Sequence, residues 1–506
     1  MQLTNLSSST LLAFLLCLAP TTSLLAEVSV PNIFGEHMVL QRDQKNRVWG
    51  KASANEKISV SIAGQNHTAT AGADGLWQVE LNPLPAGGPH ELLIKGPNEI
   101  KIGDVLVGEV WICSGQSNMQ WTVNNAWDAD IEKLTANNPQ LRMINFPQVG
   151  TQEPIWEHKN SQWKLTTPEN VGAFSAVGYY FGRQIQQTIN VPVGMVNNAW
   201  GGSACEAWIN RDVLAADERF QPLLERWKGM EADFAKLAAK QDLTEQEKGQ
   251  LKGLQGQMGG NSRPGNIYNG VLKSHLGYGI RGAIWYQGES NAGRAYQYRD
   301  LFPLMIDNWR KEWKQGDFPF YWVQLADFKA EKAEPAESDW AELREAQTMT
   351  MSKLPNTGEA VIIDIGEGKD IHPKNKIDVG RRLARWALAN EYKIDVPFHS
   401  PQYKSMEKAD AKIVLSFDHV NNGWRPFDVN EPRGFAIAGE DKKFVWATAK
   451  ILGDGRVEVS SPAVANPVAV RYAWADNPVC NMFSSAGLPL TPFRTDDWPG
   501  VTINSK

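Results

Sequence analysis

The stretch VWICSGQSNMQW, residues 110 to 121, decides the fold. Val110 to Cys113 are apolar at consecutive positions rather than alternating, the mark of a strand buried on both faces and so of a parallel sheet covered by helices. The run then breaks into Ser114, Gly115, Gln116, Ser117 and Asn118 before returning to Met119 and Trp121. A serine exposed where a buried strand ends has the placement of a nucleophile. Its hydroxyl is weak until a base takes its proton, and backbone amides of the turn can hold an oxyanion. The elbow pattern G-x-S-x-G is excluded, because Met119 stands where its last glycine would be.

Four further segments repeat the pattern: VPVGMVNNAWGG, IRGAIWYQGES, FPFYWVQLADF and EAVIIDIGEG. Each ends in small or polar residues. Helical periodicity lies between them over Phe174–Thr188, Tyr298–Trp313, Trp340–Lys353 and Lys376–Asn390. The alternation predicts an α/β domain over 105–400 with its chemistry at the carboxyl ends of the strands. A helical insertion near 212–258 interrupts it: Phe220, Leu223, Leu224, Trp227, Met230, Phe234 and Leu237 form one stripe, and Thr244 with Glu247 forms a capping box. The stripe reads as a hairpin packed on the domain, or as a lid over the site.

Alternation at Ile58, Val60 and Ile62, and at Trp77, Val79 and Leu81, predicts an N-terminal β-sandwich over 27–104. The same period at Ile413, Leu415 and Phe417, and at Val457 and Val459, predicts a C-terminal β-rich domain over 401–506. Residues 1–26, with an apolar run from Leu11 to Leu18 and Ala26 before the cut, read as a signal peptide far too short to span a membrane. The expected location is periplasmic or secreted.

A net charge of -6, from 51 basic and 57 acidic residues, gives no reason to expect nucleic acid or anionic lipid as partner. Beyond Cys17 the cysteines are Cys113, Cys205 and Cys480, which make no disulfide framework and no zinc pattern. No metal or other cofactor is expected.

The base for the serine must come from elsewhere. His372 lies in IGEGKDIHPKNK, past the last apolar strand, with Asp370 two residues before it; a carboxylate there can fix the imidazole tautomer and stabilise the imidazolium. Gly201 and Gly202 in NNAWGGSACEAW offer backbone amides that approach a substrate closely. Gln287 in WYQGESNAG offers an uncharged donor, and Glu289 is polar without a derivable role. Trp200, Trp208, Trp285 and Trp498 are candidates for stacking on a sugar ring.

GEVWICSGQSNMQW, NNAWGGSACEAW, IRGAIWYQGESNA and DIHPKNK, in this order, resemble the blocks of the sialate O-acetylesterase family, a branch of the SGNH hydrolases. PNIFGEHMVLQR, LREAQ, FAIAGEDKKF, VRYAWADNP and GLPLTPFRTDDW extend the similarity over nearly all of the chain after residue 26. The resemblance implies a flavodoxin-like sheet carrying a Ser-His-Asp hydrolase that acts on an O-acetylated sugar. By it, Ser117 is the nucleophile and His372 the general base. The amides of Ser117 and Gly202 with the side chain of Gln287 form the oxyanion hole. The superfamily usually has aspartate three residues before the histidine, where this chain has Lys369. Asp370 is therefore the third member, or else a backbone carbonyl orients His372. Gly201, Glu289, Trp200 and Trp285 are assigned to substrate binding, and Met119 and Trp121 are expected to re-enter the core. The segment around Arg494 and Asp497 shapes the cleft or is a solvated tail. Deacetylation of xylan, sugar binding without turnover, and peptide hydrolysis are the competing readings.

Overall fold

In the computed structural model, which describes residues 27–506, the chain forms a central mixed sheet between two helical layers, with β-rich regions before and after it. The expected signal peptide lies outside the described residues. Five parallel strands make the centre of the sheet: β1 (Glu99–Gly115), β2 (Val193–Asn197), β3 (Gly282–Tyr286), β4 (Phe320–Val323) and β5 (Thr357–Ala360). They lie in the order 2-1-3-4-5, and the strand Asn138–Asn145 extends the sheet beyond β2, with the antiparallel Trp163–Thr166 at the edge. In this doubly wound order the connections leave β1 in opposite directions, so a crevice opens at the carboxyl ends of β1 and its neighbours.

Both faces of β1 are buried, as its unbroken apolar run requires. Trp111 and Cys113 face α1 (Ala176–Ile189) and α4 (Lys376–Asn390), while Val110 and Ile112 face α2 (Ala295–Trp313) and α3 (Asp339–Lys353). These helices match the expected periodic segments to within three residues at each end. Local chemistry sets their starts: the Ser175 hydroxyl accepts from Gly178 N (3.1 Å), and Ser338 caps α3 in the same way (3.0 Å).

The N-terminal β-rich region passes into the central sheet through one strand. The first half of β1 pairs antiparallel with Gly87–Lys95, residues 106–108 pair with Val39–Gln41, and residues from Glu109 onward belong to the centre. Glu109, fully buried at this junction, is neutralised by Arg42 and Arg281 from the two sides.

The run Glu359–Gly366 was expected to be one strand, but β5 ends at Ala360. Beyond it the side chains serve two cores. Ile362 packs under α4, while Val361 and Ile363 enter the core of the C-terminal region, where two four-stranded antiparallel sheets face each other. An apolar run shared between two cores has the composition of a buried strand without its pairing.

The helical insertion is a hairpin, Gln221–Ala238 and Glu245–Met258, and its second helix starts at the expected capping box: Glu247 N donates to the Thr244 hydroxyl (3.3 Å) and Thr244 N to the Glu247 carboxylate (2.9 Å). The C-terminal charged segment is not a solvated tail. The Arg494 guanidinium is buried against Glu345 of α3 (2.7 Å), and Asp496 pairs with Arg471, whereas Asp497 is exposed.

Candidate active site

Gly115 ends β1 with φ of 132°, and a Cβ there would lie 2.1 Å from the Tyr286 carbonyl of β3. Only glycine lets the two strands close at this point. Gly115→Ala is expected to lower stability by about 2 kcal/mol or more, read as a fall in thermal midpoint with no change in secondary-structure content.

From this turn three polar side chains each tie a neighbouring loop to the serine. Gln116 Oε1 accepts from Gly288 N (3.2 Å) and Ser290 N (3.4 Å), after β3. Asn118 Nδ2 donates to Glu289 Oε1 (2.7 Å) and to the Ile371 carbonyl (3.0 Å). Gln120 Oε1 accepts from Gly201 N (2.7 Å), after β2. Ser117 lies between them on a short helical turn, Ser117–Gln120, with Met119 buried below it.

Ser117 Oγ and His372 Nε2, 255 positions apart in sequence, are 2.9 Å apart. Asp370 Oδ1 lies 3.2 Å from His372 Nδ1 and also accepts from the His372 backbone N–H (2.9 Å), so one carboxylate oxygen fixes both the loop and the ring. Its other oxygen takes Lys374 Nζ at 2.8 Å, and Lys374 also pairs with Glu367 at 2.8 Å. The hydrogen bond from Lys374, then that from the His372 amide, hold the Asp370 carboxyl down at about 2. Burial lowers the His372 imidazole below its ordinary value, opposed by Asp370. The ring is therefore neutral and its Nε2 free to accept a proton near neutral pH. Trp121 does not re-enter the core: its indole stacks on the imidazole at 4.7 Å and 15°, closing one side of it.

Gly201 sits against the serine, and Gly202 follows it in the same loop. A Cβ on Gly201 would lie 3.4 Å from Ser117 Cβ, and Gly202 has a left-handed φ of 72°. The segment just after the hairpin reaches this loop through Asn261, whose amide donates to the Gly201 carbonyl (2.5 Å). The backbone N–H groups of Ser117 and Gly202 make no hydrogen bond among the described residues, so both remain available to a ligand oxygen.

The geometry corrects the expectation for Gln287. Its amide nitrogen donates to the Ser203 carbonyl (3.0 Å) and to Asn291 Oδ1 (2.7 Å), and its oxygen accepts from the Tyr298 hydroxyl (2.8 Å). Asn291 is itself oriented by Glu206, which takes its Nδ2 at 2.9 Å, so the amides cannot exchange roles. Both hydrogens of Gln287 are committed, and neither is free for an oxyanion. The residue braces the Gly202–Ser203 loop instead.

The tryptophans divide in the same way. Trp285 and Trp208 are fully buried and packed edge to face (5.4 Å) beneath the sheet, with no surface for a sugar. Trp498 packs on Phe444 in the C-terminal region (5.6 Å). Trp200, partly exposed, donates its backbone N–H to the Gly115 carbonyl (3.0 Å) and stays beside the turn. Glu289 is half-buried, and one of its carboxylate oxygens accepts from Asn118 (2.7 Å). Sequence reasoning missed Gln116, Asn118, Gln120, Trp121, Asn261 and Lys376. The alternation of amides around Ser117 was the available signal for the first three. Buried thiols at Cys113 and Cys205, both pushed up by burial, lie in core positions.

A family model described as a carbohydrate esterase, sialic acid-specific acetylesterase, matches residues 107–240 and 261–389. The sialate O-acetylesterase of Mus musculus is 27% identical over 514 residues, covering 90% of this chain and 92% of its own, and that of Homo sapiens is 27% identical over 520 residues, covering 92% and 93%. A solved structure of a carbohydrate acetylesterase from Xanthomonas citri superposes with a TM-score of 0.81 at 39% identity, over 93% of this chain and all of its own.

Proposed function

The chain belongs to the sialic acid-specific acetylesterase family of carbohydrate esterases and is an ester hydrolase, and on that premise we propose that it removes O-acetyl groups, the 9-O-acetyl included, from sialic acids through Ser117. The observation that carries the reading is the 2.9 Å approach of His372 Nε2 to Ser117 Oγ beside two free backbone N–H groups. The order 2-1-3-4-5 of the sheet supports a flavodoxin-like SGNH domain around that pair.

In the first half-reaction His372 takes the proton of Ser117 as its oxygen attacks the acetyl carbonyl. The oxyanion is stabilised by the amides of Ser117 and Gly202. His372 then protonates the departing sugar hydroxyl, leaving an acetyl ester on Ser117. In the second half it activates water against that ester and returns the proton to the serine as acetate leaves. Asp370 orients the imidazole through Nδ1 and stabilises its cation. With residues 1–26 as an export signal, the enzyme works outside the cytoplasm.

Acetate release from 9-O-acetylated sialic acid, compared with acetylated xylan, tests the substrate. Faster release from the sialic acid supports the proposal, and turnover of xylan alone overturns the sugar assignment. The role of Asp370 has its own expected result. Asp370→Asn removes the group that raises the imidazole pKa, so the acid limb of kcat/KM moves to lower pH while the plateau falls about a hundredfold or more. A plateau at the wild-type level would leave orientation of His372 to the backbone.

A further inference from the structure

Directly beneath the Ser117 turn lies a buried polar chain that the reaction as written does not use. Asn118 is its centre. Its Nδ2 donates to Glu289 Oε1 (2.7 Å) and to the carbonyl of Ile371 (3.0 Å), the residue before His372, and its Oδ1 accepts from Lys376 Nζ (2.6 Å). One side chain thus joins the nucleophile's turn, the loop after β3, the histidine loop and the first residue of α4. Asn118 and Lys376 are closed off from solvent, and the Lys376 ammonium sits 5.2 Å above the ring of Tyr286.

We infer that Asn118, Glu289 and Lys376 are positioning residues for the ester hydrolysis proposed above: they lock the His372 loop to the nucleophile's turn and set the charge felt by the imidazole. Asn118 bonds both flanking groups at once. Its amide hydrogens are divided between a carboxylate and the Ile371 carbonyl, and its oxygen is claimed by an ammonium, so it cannot turn over without leaving a buried group unpaired. The Ile371 carbonyl is therefore held in place relative to the serine's turn, and with it the 2.9 Å contact from Nε2 to Oγ. Misplacement of such a contact by an ångström is enough to cost about a hundredfold in rate.

The charges act on the same ring. Around the imidazole stand Asp370, which raises its pKa, and Lys376 and Lys374, which lower it. Around the Lys376 ammonium stand Glu289, Glu367, Asp370 and Lys374, and burial brings that ammonium down to about 7. Burial likewise raises the Glu289 carboxyl, opposed by Asn118 and Lys376. A cation behind the ring disfavours the imidazolium and favours the neutral base.

The test uses the full chain and p-nitrophenyl acetate, a small acetyl ester that does not depend on the identity of the sugar. Asn118→Ala is expected to lower kcat about a hundredfold with KM within about threefold, because the loss is in alignment rather than binding. Glu289→Gln paired with Lys376→Met keeps an acceptor for Asn118 and avoids stranding one buried charge. In that pair the acid limb of kcat/KM is expected to move to higher pH, since the cation that lowers the imidazole pKa is gone. A role confined to stability would lower the melting temperature and leave both readouts alone. Wild-type kcat in folded Asn118→Ala, or an unmoved acid limb in the paired variant, overturns the inference. If Asn118→Ala does not fold, the acid limb alone decides. Ser117→Ala separates the two levels: turnover that survives it removes the esterase site and this inference together, whereas its loss alongside wild-type-like Asn118→Ala removes the inference alone.

Discussion

Ser117→Ala is expected to lower kcat/KM for an acetylated sugar by about 10⁴-fold or more, which corresponds to about 5 kcal/mol of transition-state stabilisation. The hydroxyl's hydrogen bond is to His372, so its removal leaves the turn, the amide ties of Gln116, Asn118 and Gln120, and the buried Met119 in place. The folded protein should keep its thermal midpoint to within a few degrees and should still bind substrate, because the amides of Ser117 and Gly202 do not depend on the side chain. Incubation of wild type with a serine-directed phosphonate should label Ser117, and the alanine variant should take up none. Wild-type turnover in a folded alanine variant would exclude Ser117 as the nucleophile.

His372→Ala should cost about 10³- to 10⁴-fold, and Ser117→Ala combined with it should be no slower than the slower single variant, since the two groups act as one unit. The pH profile carries the second part of the result. Activity requires the neutral imidazole, so it rises with pH through the His372 pKa. Burial holds that value below the ordinary one, so wild type should stay active into mildly acidic solution. In His372→Ala this limb should disappear, and the residual rate should climb with hydroxide. Measuring kcat/KM from acid to alkaline pH for both proteins decides it; an acid limb that persists in the variant would assign the base elsewhere. The indole of Trp121, deprived of its stacking partner, makes the fluorescence of this variant a check on local structure.

Asp370→Asn and the paired Glu289→Gln, Lys376→Met variant move the same limb in opposite directions. Asp370→Asn lowers it and loss of the Lys376 ammonium raises it, because a carboxylate stabilises the imidazolium and a buried ammonium opposes it. Opposite shifts from two residues acting on one ring cannot arise from general loosening of the site.

Much of this site was legible before the fold was known, because its signals are local. A non-alternating apolar run ending in small polar residues states that a strand is buried on both faces and where it stops; this marked β1 and the turn that holds Ser117. Periodicity placed α1 to α4 to within three residues at each end, and Thr244 with Glu247 marked a helix start, since capping and amphipathicity involve residues within one or two turns. The order of the motif-bearing segments also pointed to the family, which the matched model over residues 107–240 and 261–389 shows.

Other features depended on contacts between distant segments. Gln287 looked like a donor for the reacting oxygen, and only its partners Ser203, Asn291 and Tyr298 show both hydrogens committed. Trp285 and Trp208 looked like platforms and are core, because an indole's use is set by which face remains open. The run beyond Ala360 looked like strand and divides between two cores. Glu289 had no derivable role until Asn118 was found against it, from 171 positions away, with Lys376 bonded to Asn118 from 258 positions away. By itself the sequence determined the buried strands, the helices and the polar turn at the end of β1 where Ser117 sits, for these are written in spacing and side-chain type. The tertiary structure alone decided which polar groups stay free and which charges face the imidazole, because hydrogen-bond saturation and burial belong to contacts the chain makes only once folded.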